Sequence, residues 1–324
     1  MKTSLGVRKS IAVLATSAVV FGVFLAVERP WFLRWGATPE EIAAARPGDA
    51  RVPVARDQVT RAVTIHATAG QIWPWIAQLG QDRGGFYSYE VLEDLVGCEM
   101  PRAEQILPQH QEWRAGDRLW MYPSDKAGGM GNAPLVACEP ERYIVFAIRQ
   151  LGTPPEQPED GVWGFALEPA GAGATRLIAW SRAAGETRTL FRITNRLVFE
   201  PAHYVMERRT LLNVKALAEG RIPRRWTEIG NVVLWTLTVV LMIAALVEVA
   251  RRRTHWVRAL AVAGLSGFAF QFLTLAQPPV LVGVLIVIML AAALKGGGAG
   301  PRPMRVAIEE RDLPWSEGRT AETA

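Results

Sequence analysis

The chain has 324 residues, of which 50% are hydrophobic, with a formal net charge of +5 at neutral pH and 2 cysteines. This hydrophobic share is too high for an ordinary soluble protein of moderate charge, so we expect the apolar surplus to lie in membrane segments. The basic balance does not indicate nucleic-acid binding, because much of the excess arginine flanks apolar runs, where it sets membrane topology.

The N-terminus is predicted to be a membrane anchor. Residues 11–27 carry no charge and follow Arg8 and Lys9, as in a short membrane helix or an uncleaved signal anchor. No clean A-x-A cleavage site follows, so we predict a retained transmembrane segment over residues 1–30. Residues 31–54 are rich in proline, alanine and charge and are predicted to be a linker with one helical turn capped by Thr38.

Residues 55–220 are long enough for one domain with its own core. The alternation in residues 61–68 predicts a half-buried strand with His66 facing away from the core. A helix is predicted over residues 69–80, capped by Thr68, with an apolar face at helical spacing formed by Ile72, Trp75, Ile76 and Leu79.

The stretch "QDRGGFYSYEVLEDL" (81–95) is predicted to turn sharply at Gly84 and Gly85 and to form a corner between two helices. The second helix is predicted to be capped by Ser88. We expect its inner face to be Val91, Leu92 and Leu95, and its exposed face to be Glu90, Glu93 and Asp94.

Short β-branched and aromatic runs follow, separated by Gly, Pro, Asp and Glu, which is typical of an antiparallel meander. A long helical pattern over about residues 189–219, interrupted at Pro201, ends the domain. Its stripe, predicted to lie on the sheet, consists of Tyr204, Glu207, Leu211, Val214 and Ala218.

Three more transmembrane helices are predicted over residues 229–249, 257–276 and 279–294, followed by a flexible cytoplasmic tail at 296–324. Arginine and lysine near the N-terminus and in the loop 251–258 favour a cytoplasmic side for both, which puts the domain on the extracytoplasmic side. Against this topology, residues 221–225 contain three arginines that would then face outward.

The order of strand, two short helices, antiparallel strands and long helix describes a sheet curled around one helix, with a cavity between them. Together with "IHATAGQIWPWIAQLGQDRGGFYSYEVLEDLVG", the "GDR" and "CEPERYIVFA" strand starts, "GFALEPAGAGATRLI" and "MERRTLLNVKALAE", it resembles the START-like superfamily of polyketide cyclase/dehydrase and lipid transport proteins. The resemblance implies an α+β helix-grip (Bet v 1-like) domain with an apolar pocket for a hydrophobic molecule.

A site for such a ligand needs an apolar wall and a few polar groups that fix its orientation. Candidate ligand-binding residues are Trp75, Tyr87, Tyr89, Trp120, Phe146, Trp163, Phe165, Trp180, His203 and Met206. Each aromatic residue could instead simply fill the core. For acid–base chemistry the available groups are Tyr87, Tyr89, Arg182 and His203, although Arg182 is also typical of a solvated rim.

The sequence has no motif for a metal or a nucleotide cofactor, so none is expected. Cys98 and Cys138 form no C-x-x-C pair and are either bonded, if the domain is exported, or small buried residues. The leading hypothesis is a membrane protein whose domain binds a hydrophobic small molecule or lipid. The alternatives are a cyclase or dehydratase and a membrane ligand sensor or interaction module; the oligomeric state stays open.

Overall fold

A six-stranded antiparallel sheet is the centre of an α+β domain in the computed structural model, which describes residues 2–126, 131–149, 158–252 and 254–296. The sheet order is β1-β6-β5-β4-β3-β2, so the last strand in the chain pairs with the first. The strands are β1 (Asp57–Ile65), β2 (Arg118–Trp120), β3 (Asn132–Glu139), β4 (Tyr143–Ile148), β5 (Gly161–Pro169) and β6 (Thr175–Ala183). The predicted antiparallel run is confirmed.

Helices precede, cover and follow this sheet. Those in the described ranges are α1 (Lys2–Val23), α2 (Arg29–Leu33), α3 (Pro39–Ala43), α4 (Ala69–Ala77), α5 (Glu90–Leu95), α6 (Thr189–Thr194), α7 (Glu200–Ala218), α8 (Arg225–Arg251), α9 (Trp256–Gln271) and α10 (Val280–Lys295). Three π-helical turns, Phe24–Glu28, Asn195–Phe199 and Phe272–Ala276, join α1 to α2, join α6 to α7 and extend α9.

Within the described ranges, three helical segments are long and apolar enough to cross a membrane: Ser4–Leu33, Arg225–Arg251 and Trp256–Ala276. They cover the first three predicted spans. The last predicted span corresponds to α10, which has only 16 residues and falls short of the roughly 20 that a perpendicular crossing needs. The predicted tail lies outside the described residues beyond position 296.

Helix α7 lies between the sheet and the apolar helices. On one side, Leu211 and Val214 belong to the same buried core as Phe165 of the sheet. On the other side, Tyr204 packs on Phe32 with ring centroids 5.2 Å apart and donates a hydrogen bond to the carbonyl of Leu275. The molecule is therefore layered, with α7 shared by the domain and the helical bundle.

A buried polar cluster fixes the domain to the first turn of α8. The Arg102 guanidinium contacts Glu90 at 2.9 Å and Glu228 at 3.1 Å, and Arg209 contacts Glu228 at 3.1 Å. The Glu228 side chain is fully buried, and the two arginines compensate its negative charge. Since Glu90 follows the diglycine segment, this cluster holds that part of the domain against α8.

The region predicted to be a linker packs tightly on the domain. Phe32 is fully buried, and the carbonyl of Trp35 accepts a hydrogen bond from the Ala62 amide in β1. Thr38 caps α3 in a capping box with Glu41, as the sequence predicts. The Glu41 carboxylate then pairs with Arg176 of β6 at 2.7 Å. These contacts make residues 31–54 a cover for β1 and the outer face of the sheet.

The diglycine segment forms a tight loop rather than a simple corner between helices. The amide of Gly80 donates to the carbonyl of Gly85, and the Gly85 amide donates back at 2.9 Å. Gly85 has φ of 86°, and a Cβ there would lie 1.8 Å from the carbonyl oxygen of Pro101. A side chain cannot fit at this position, so glycine is required.

Helix α5 buries the opposite side from the one that the sequence predicts. Tyr89, not Ser88, precedes its first residue as the N-cap. Leu95, predicted to face inward, is 82% exposed, whereas Glu90 and Glu93 are 7% and 6% exposed. The helix has only six residues, so its orientation is set by contacts of Tyr89 and Glu90 with neighbouring elements rather than by its own apolar stripe.

Candidate functional site

Two adjoining chambers lie between the sheet, the first half of α7 and the end of α2. The larger, which we call the arginine chamber, has a volume of about 500 Å³. It is lined by charged groups, among them Arg29, Arg34, Arg56 and Arg61, and by apolar groups that include Phe199. Its wall therefore combines positive charge with apolar surface.

The second space, the methionine chamber, has a volume of about 230 Å³ and is lined mainly by apolar side chains. Met121, Trp163 and His203 line both chambers, so the two spaces adjoin at these three residues. The rest of its wall consists of Phe86, Ser88, Glu93, Val96, Cys98, Met100, Met206, Glu207 and Thr210. Flexible methionine side chains adapt to ligands of varied shape, which suits a hydrophobic binding site.

A buried ion pair lies beside the place where the chambers adjoin. The Arg61 Nη1 donates to the Glu207 carboxylate at 2.6 Å, and both side chains are at most 2% exposed. The indole of Trp163 donates to the other Glu207 oxygen at 2.8 Å. Arg61 also donates to the Phe32 carbonyl and lies over the Tyr204 ring. The pair fixes Trp163 and thereby the wall between the chambers.

The protonation states of this cluster follow from burial and from the charge of Arg61. Burial by itself raises the pKa of Glu207, but the adjacent Arg61 charge and hydrogen bonds outweigh it, so the pKa is lowered and the group stays ionised. Burial lowers the pKa of His203, and this outweighs the attraction of Glu207. The cluster thus combines a carboxylate, a guanidinium and a neutral imidazole.

Both ring nitrogens of His203 face protein groups. Its Nδ1 lies 3.5 Å from Arg61 Nη1, and its Nε2 lies 3.8 Å from Glu207 Oε1. A neutral imidazole placed in this way accepts from Arg61 at Nδ1 and directs its Nε2 proton towards Glu207. No lone pair is then left to take a proton from a ligand, so this arrangement positions the ring as part of the wall.

Glu93 of α5 is a second buried acid in the methionine chamber. Within the described part of the chain, neither of its oxygens has a hydrogen-bond partner, and Oε2 is fully enclosed. Burial, reinforced by the neighbouring carboxylates of Glu90, Asp94 and Glu228, raises its pKa to about 7. Glu93 therefore exchanges a proton near neutral pH, unlike Glu207.

The arginine chamber borders an apolar, exposed segment at the start of α7. Residues 190–199 expose Leu190, Ile193 and Val198 at 72%, 49% and 61%, with Arg192 and Arg196 between them. The same segment reaches the long apolar helices, because Leu197 lines a separate apolar crevice of about 410 Å³ between α1, α8 and α9. The chamber rim therefore lies at the level where the apolar helices end.

An ion pair joins this rim to the N-terminal helix. The Arg29 guanidinium contacts both oxygens of Glu200, at 2.6 and 2.8 Å. Both residues line the arginine chamber. The bidentate geometry fixes the junction of α2 with α7 on one side of the chamber.

Three of the ten predicted site residues line the chambers: Trp163, His203 and Met206. Most of the others pack in the core on the same face of the sheet. Trp75 contacts the edge of Tyr87, and Phe146 contacts Trp113 with ring centroids 5.0 Å apart. Phe165 lies behind Trp163 and supports it from the core side.

Tyr87, Tyr89 and Trp120 lie away from both chambers. The Tyr87 hydroxyl accepts a hydrogen bond from Gln78 in the core. The Tyr89 hydroxyl accepts one from Asn231 of α8, and its ring packs on Trp235 at 5.1 Å. Tyr89 is thus a junction residue between domain and bundle, and Trp120 is half-buried at the end of the edge strand β2.

Trp180 and Arg182 face the opposite side of the sheet from Trp163, which corrects the expectation that they could meet a ligand there. Trp180 is fully buried in a separate cluster with Val52 of the N-terminal cover. Arg182 is 6% exposed and donates to the carbonyl of Val59, so it is not a solvated rim charge. The sequence does not predict which side chains of β6 share a face of the sheet with Trp163 of β5. In residues 176–182, both faces of the strand mix apolar and polar side chains.

Glu93, Arg61, Arg29 of α2 and Arg34 just after it line the chambers but were not predicted as wall residues. A signal existed for Glu207, because it falls on the predicted apolar stripe of the last helix, where a charged residue needs a buried partner. For Glu93, the helical pattern predicted an exposed side chain, whereas the side chain is buried. No local signal marked Arg61, whose role depends on α2 and α7.

No group of three or more potential metal ligands occurs within the described ranges. Cys98 and Cys138 are both free thiols, the first buried and the second half-buried. Burial raises the pKa of each, to about 11 for Cys138, so neither is an activated nucleophile.

Comparison with known proteins shows no matching family model and no matching curated protein. Solved structures from structural genomics do match over about half of the chain. A Mesorhizobium loti protein is 14% identical with a TM-score of 0.29, covering 51% of this chain and 98% of its own. A Thermobifida fusca protein is 10% identical with a TM-score of 0.33, covering 52% and 97%. An Arthrobacter aurescens protein is 12% identical with a TM-score of 0.29, covering 55% and 92%.

Proposed function

We propose that this protein is an integral membrane protein whose α+β domain, a helix-grip domain of the START-like type, binds a hydrophobic small molecule or lipid between its sheet and α7. The observation that carries the proposal is the pair of adjoining chambers beside the buried Arg61–Glu207 pair. The volume of the arginine chamber falls in the range of small-molecule sites, the methionine chamber extends this space, and the walls combine apolar surface with a few fixed polar groups.

The arrangement of the walls favours an amphiphilic ligand. The methionine chamber offers apolar contact through Trp163, Met121 and Met206. The arginine chamber offers positive charge from Arg34 and Arg56, which are exposed and have no ion pair with any described residue. A ligand with an apolar body and a polar or anionic end in the arginine chamber would satisfy both walls.

The position of the rim favours a ligand taken from the bilayer. The exposed apolar residues of 190–199, interspersed with arginines, have the composition of a segment that lies in the headgroup region. Trp31 and Trp226, 44% and 56% exposed at the same ends of the membrane helices, are placed as interfacial anchors. A lipid could then enter the arginine chamber without crossing bulk water.

A cyclase or dehydratase activity has less support. The four groups considered for acid–base chemistry lie in different places: Tyr87 in the core, Tyr89 at α8, Arg182 under the outer face, and His203 at the chambers. Catalysis needs such groups within hydrogen-bond reach of one reacting centre. The geometry of His203 makes it a wall residue in this proposal.

A sensor role is a second candidate, favoured by the polar cluster at α8. Glu93 lines the methionine chamber, and its helix neighbour Glu90 pairs with the arginine that also holds Glu228. A ligand that displaced α5 would therefore change contacts made by a membrane helix. Cross-linking of α5 to α8 with and without ligand tests this role, and unchanged cross-linking in the ligand-bound protein would contradict it.

The binding proposal is tested by analysing lipids and small molecules that co-purify with the full chain in a mild detergent, using native mass spectrometry. We expect a stoichiometric hydrophobic adduct in the wild-type protein. Met206→Arg should remove it, because a long charged side chain would occupy the methionine chamber. Trp163→Ala should weaken retention of the adduct.

The matched control is Ala172→Arg, which adds the same charge in the exposed turn between β5 and β6. This variant should keep the adduct. An adduct retained at wild-type level by a folded Met206→Arg protein would contradict the proposed cavity.

We also propose that the domain is extracytoplasmic, on the basis of the charge distribution in the flanking loops. In a variant whose two native cysteines are replaced, a single cysteine at Ala172 should react with a membrane-impermeant maleimide in intact cells. Labelling only after lysis would reverse the proposed orientation.

A further inference from the structure

Glu93 is the one buried acid among those lining the two chambers whose carboxylate has no hydrogen bond with the described residues. Its residue is 6% exposed, and it forms part of the wall of the methionine chamber. Glu207, in the same chamber, has two hydrogen-bond donors. The fold thus supplies hydrogen-bond donors to one buried acid of this chamber and leaves the other without any from the described residues.

The basic residues of the neighbouring elements pair with other acids. Arg102 holds Glu90 and Glu228, and Arg209 holds Glu228 as well. Lys126 pairs with Glu99 at 2.7 Å. Within the part of the chain that the structure describes, no internal partner therefore remains to satisfy Glu93.

The charges around Glu93 select against an anionic ligand group. Glu90 and Asp94 lie on its own helix, Glu228 lies on α8, and all three act on its carboxylate. Glu207 and the neutral His203 line the same chamber from α7, and Cys98 lines it from the loop after α5. A carboxylate or phosphate in this chamber would face several acids, whereas a donor group would meet free acceptors.

We infer that Glu93 is the polar anchor of the methionine chamber and accepts a hydrogen bond from a hydroxyl or amino group at one end of an otherwise apolar ligand. This inference rests on the proposed ligand-binding function and specifies its ligand class. In this arrangement, the hydrogen-bond donor of the ligand lies at Glu93 in the methionine chamber, and its polar or anionic groups lie at the arginines of the other chamber.

The test uses three probes with the same 12-carbon chain, dodecylamine, 1-dodecanol and dodecanoate, bound to the full-length protein in an uncharged detergent. Dissociation constants are measured by native mass spectrometry at pH 7.5. We expect the amine and the alcohol to bind more tightly than dodecanoate. Glu93→Gln should weaken dodecylamine binding by roughly tenfold or more, because a charge-assisted hydrogen bond is lost.

Asp94→Asn is the matched control, because Asp94 is exposed on the same helix and its change removes the same charge. It should leave the order of the three probes unchanged. If the Glu93→Gln variant binds all three probes as tightly as the wild type does, the inferred role of Glu93 is overturned, while the proposed function stands. Failure of every probe to bind the wild-type protein would overturn the proposed function, and the inference with it.

A second readout needs no ligand. Because the pKa of Glu93 in the folded protein is raised to about 7, above its ordinary value of 4.5, its protonation stabilises the fold at low pH and this stability is lost as pH rises to 7 and beyond. The Tm of Glu93→Gln should therefore exceed that of the wild type at pH 8 and approach it at pH 5. A Glu93→Gln protein less stable than wild type at pH 8 would make Glu93 a structural residue and overturn the inference.

Discussion

The Arg61–Glu207 pair shows how this fold accommodates full charges beside an apolar cavity. Each partner has further contacts: Glu207 accepts from Trp163, and Arg61 donates to the Phe32 carbonyl and covers the Tyr204 ring. Buried pairs are tolerated when such additional bonds compensate the loss of water. The pair connects three parts of the molecule, namely β1, α7 and the end of the N-terminal helix.

Removing one partner of this pair should be far more damaging than removing both. Glu207→Leu leaves Arg61 buried without a counter-charge, and we expect a loss of about 3–5 kcal/mol in the free energy of unfolding. The double variant Arg61→Met, Glu207→Leu should recover a large part of this loss. Denaturant unfolding of the full chain, monitored by fluorescence, measures both.

The exposed pair of Glu112 and Arg114 provides the control. Glu112→Leu should change the unfolding midpoint little, because both side chains are in solvent. A double variant no more stable than Glu207→Leu would show that the cost lies in packing rather than in the uncompensated charge.

At the level of single residues, the ligand-binding role of the predicted site residues stays a prediction. Trp163 and Met206 were predicted as wall residues, and both line the chambers. The reasoning failed for Glu93, because an acid on a short helix is ordinarily solvated. The burial of Glu93 results from the contacts of its neighbours with α8, and nothing in the local sequence encodes those contacts.

Among the elements, the loop at residues 80–85 is the one most constrained by backbone geometry. Two reciprocal hydrogen bonds join Gly80 and Gly85, and the amide of Ala103 donates to the Gly84 carbonyl. The loop thereby brings the segment after α4 against the chain that follows α5. Its geometry positions Phe86, which lines the methionine chamber.

Gly85→Ala should therefore destabilise the domain strongly. Gly116 has a similar positive φ of 97°, but a Cβ there meets nothing within 4 Å, whereas at Gly85 it meets the Pro101 carbonyl at 1.8 Å. We expect Gly116→Ala to cost about 1 kcal/mol from backbone strain alone, and Gly85→Ala to cost roughly 3 kcal/mol or more. Thermal unfolding of the two variants compares them directly, and equal losses would show that backbone conformation rather than the close contact matters.

The sequence predicted the strands and the long helix well, because alternation and helical spacing are local properties. Pro201 was predicted to interrupt the last helix, and it falls in the first turn of α7, where proline is compatible with a helix. The sheet faces were harder to predict. The sequence predicts both Trp163 and Trp180 to be buried aromatic residues. The pairing of β5 with β6 is needed to show that they lie on opposite faces of the sheet.

At the scale of the whole molecule, the domain and the membrane helices share one set of contacts. Tyr204, Tyr89 and Glu228 each join the two parts through buried hydrogen bonds or ion pairs. The N-terminal cover adds Phe32 and Val52 to the surface of the domain. The boundaries suggested by composition therefore do not coincide with boundaries of packing, because composition carries no information about long-range contacts.

A fragment of residues 55–220 should accordingly be much less stable than the same domain in the full chain. It would expose the faces of Tyr89 and Tyr204 and leave Arg61 without the Phe32 carbonyl. We expect its melting temperature to fall on the order of 10 °C or more and its self-association to increase. Differential scanning fluorimetry and size-exclusion chromatography measure these properties.

A longer fragment that begins at residue 29 restores the N-terminal cover and serves as the control. It should recover part of the lost stability. If the fragment 55–220 melted at the temperature of the full chain, the contacts with the cover and with α8 would contribute little to folding.

The pairing of β1 with β6 also has a consequence for how the protein is made. On the ribosome, β1 is completed long before β6, the strand that it pairs with, and Arg61 is made before the carboxylate that neutralises it. Such non-local pairing is slow, and the waiting strand is prone to aggregate. In the proposed membrane arrangement, insertion of α1 into the bilayer would tether the nascent β1 close to the later segments of its own chain, which would raise their effective concentration and favour correct assembly.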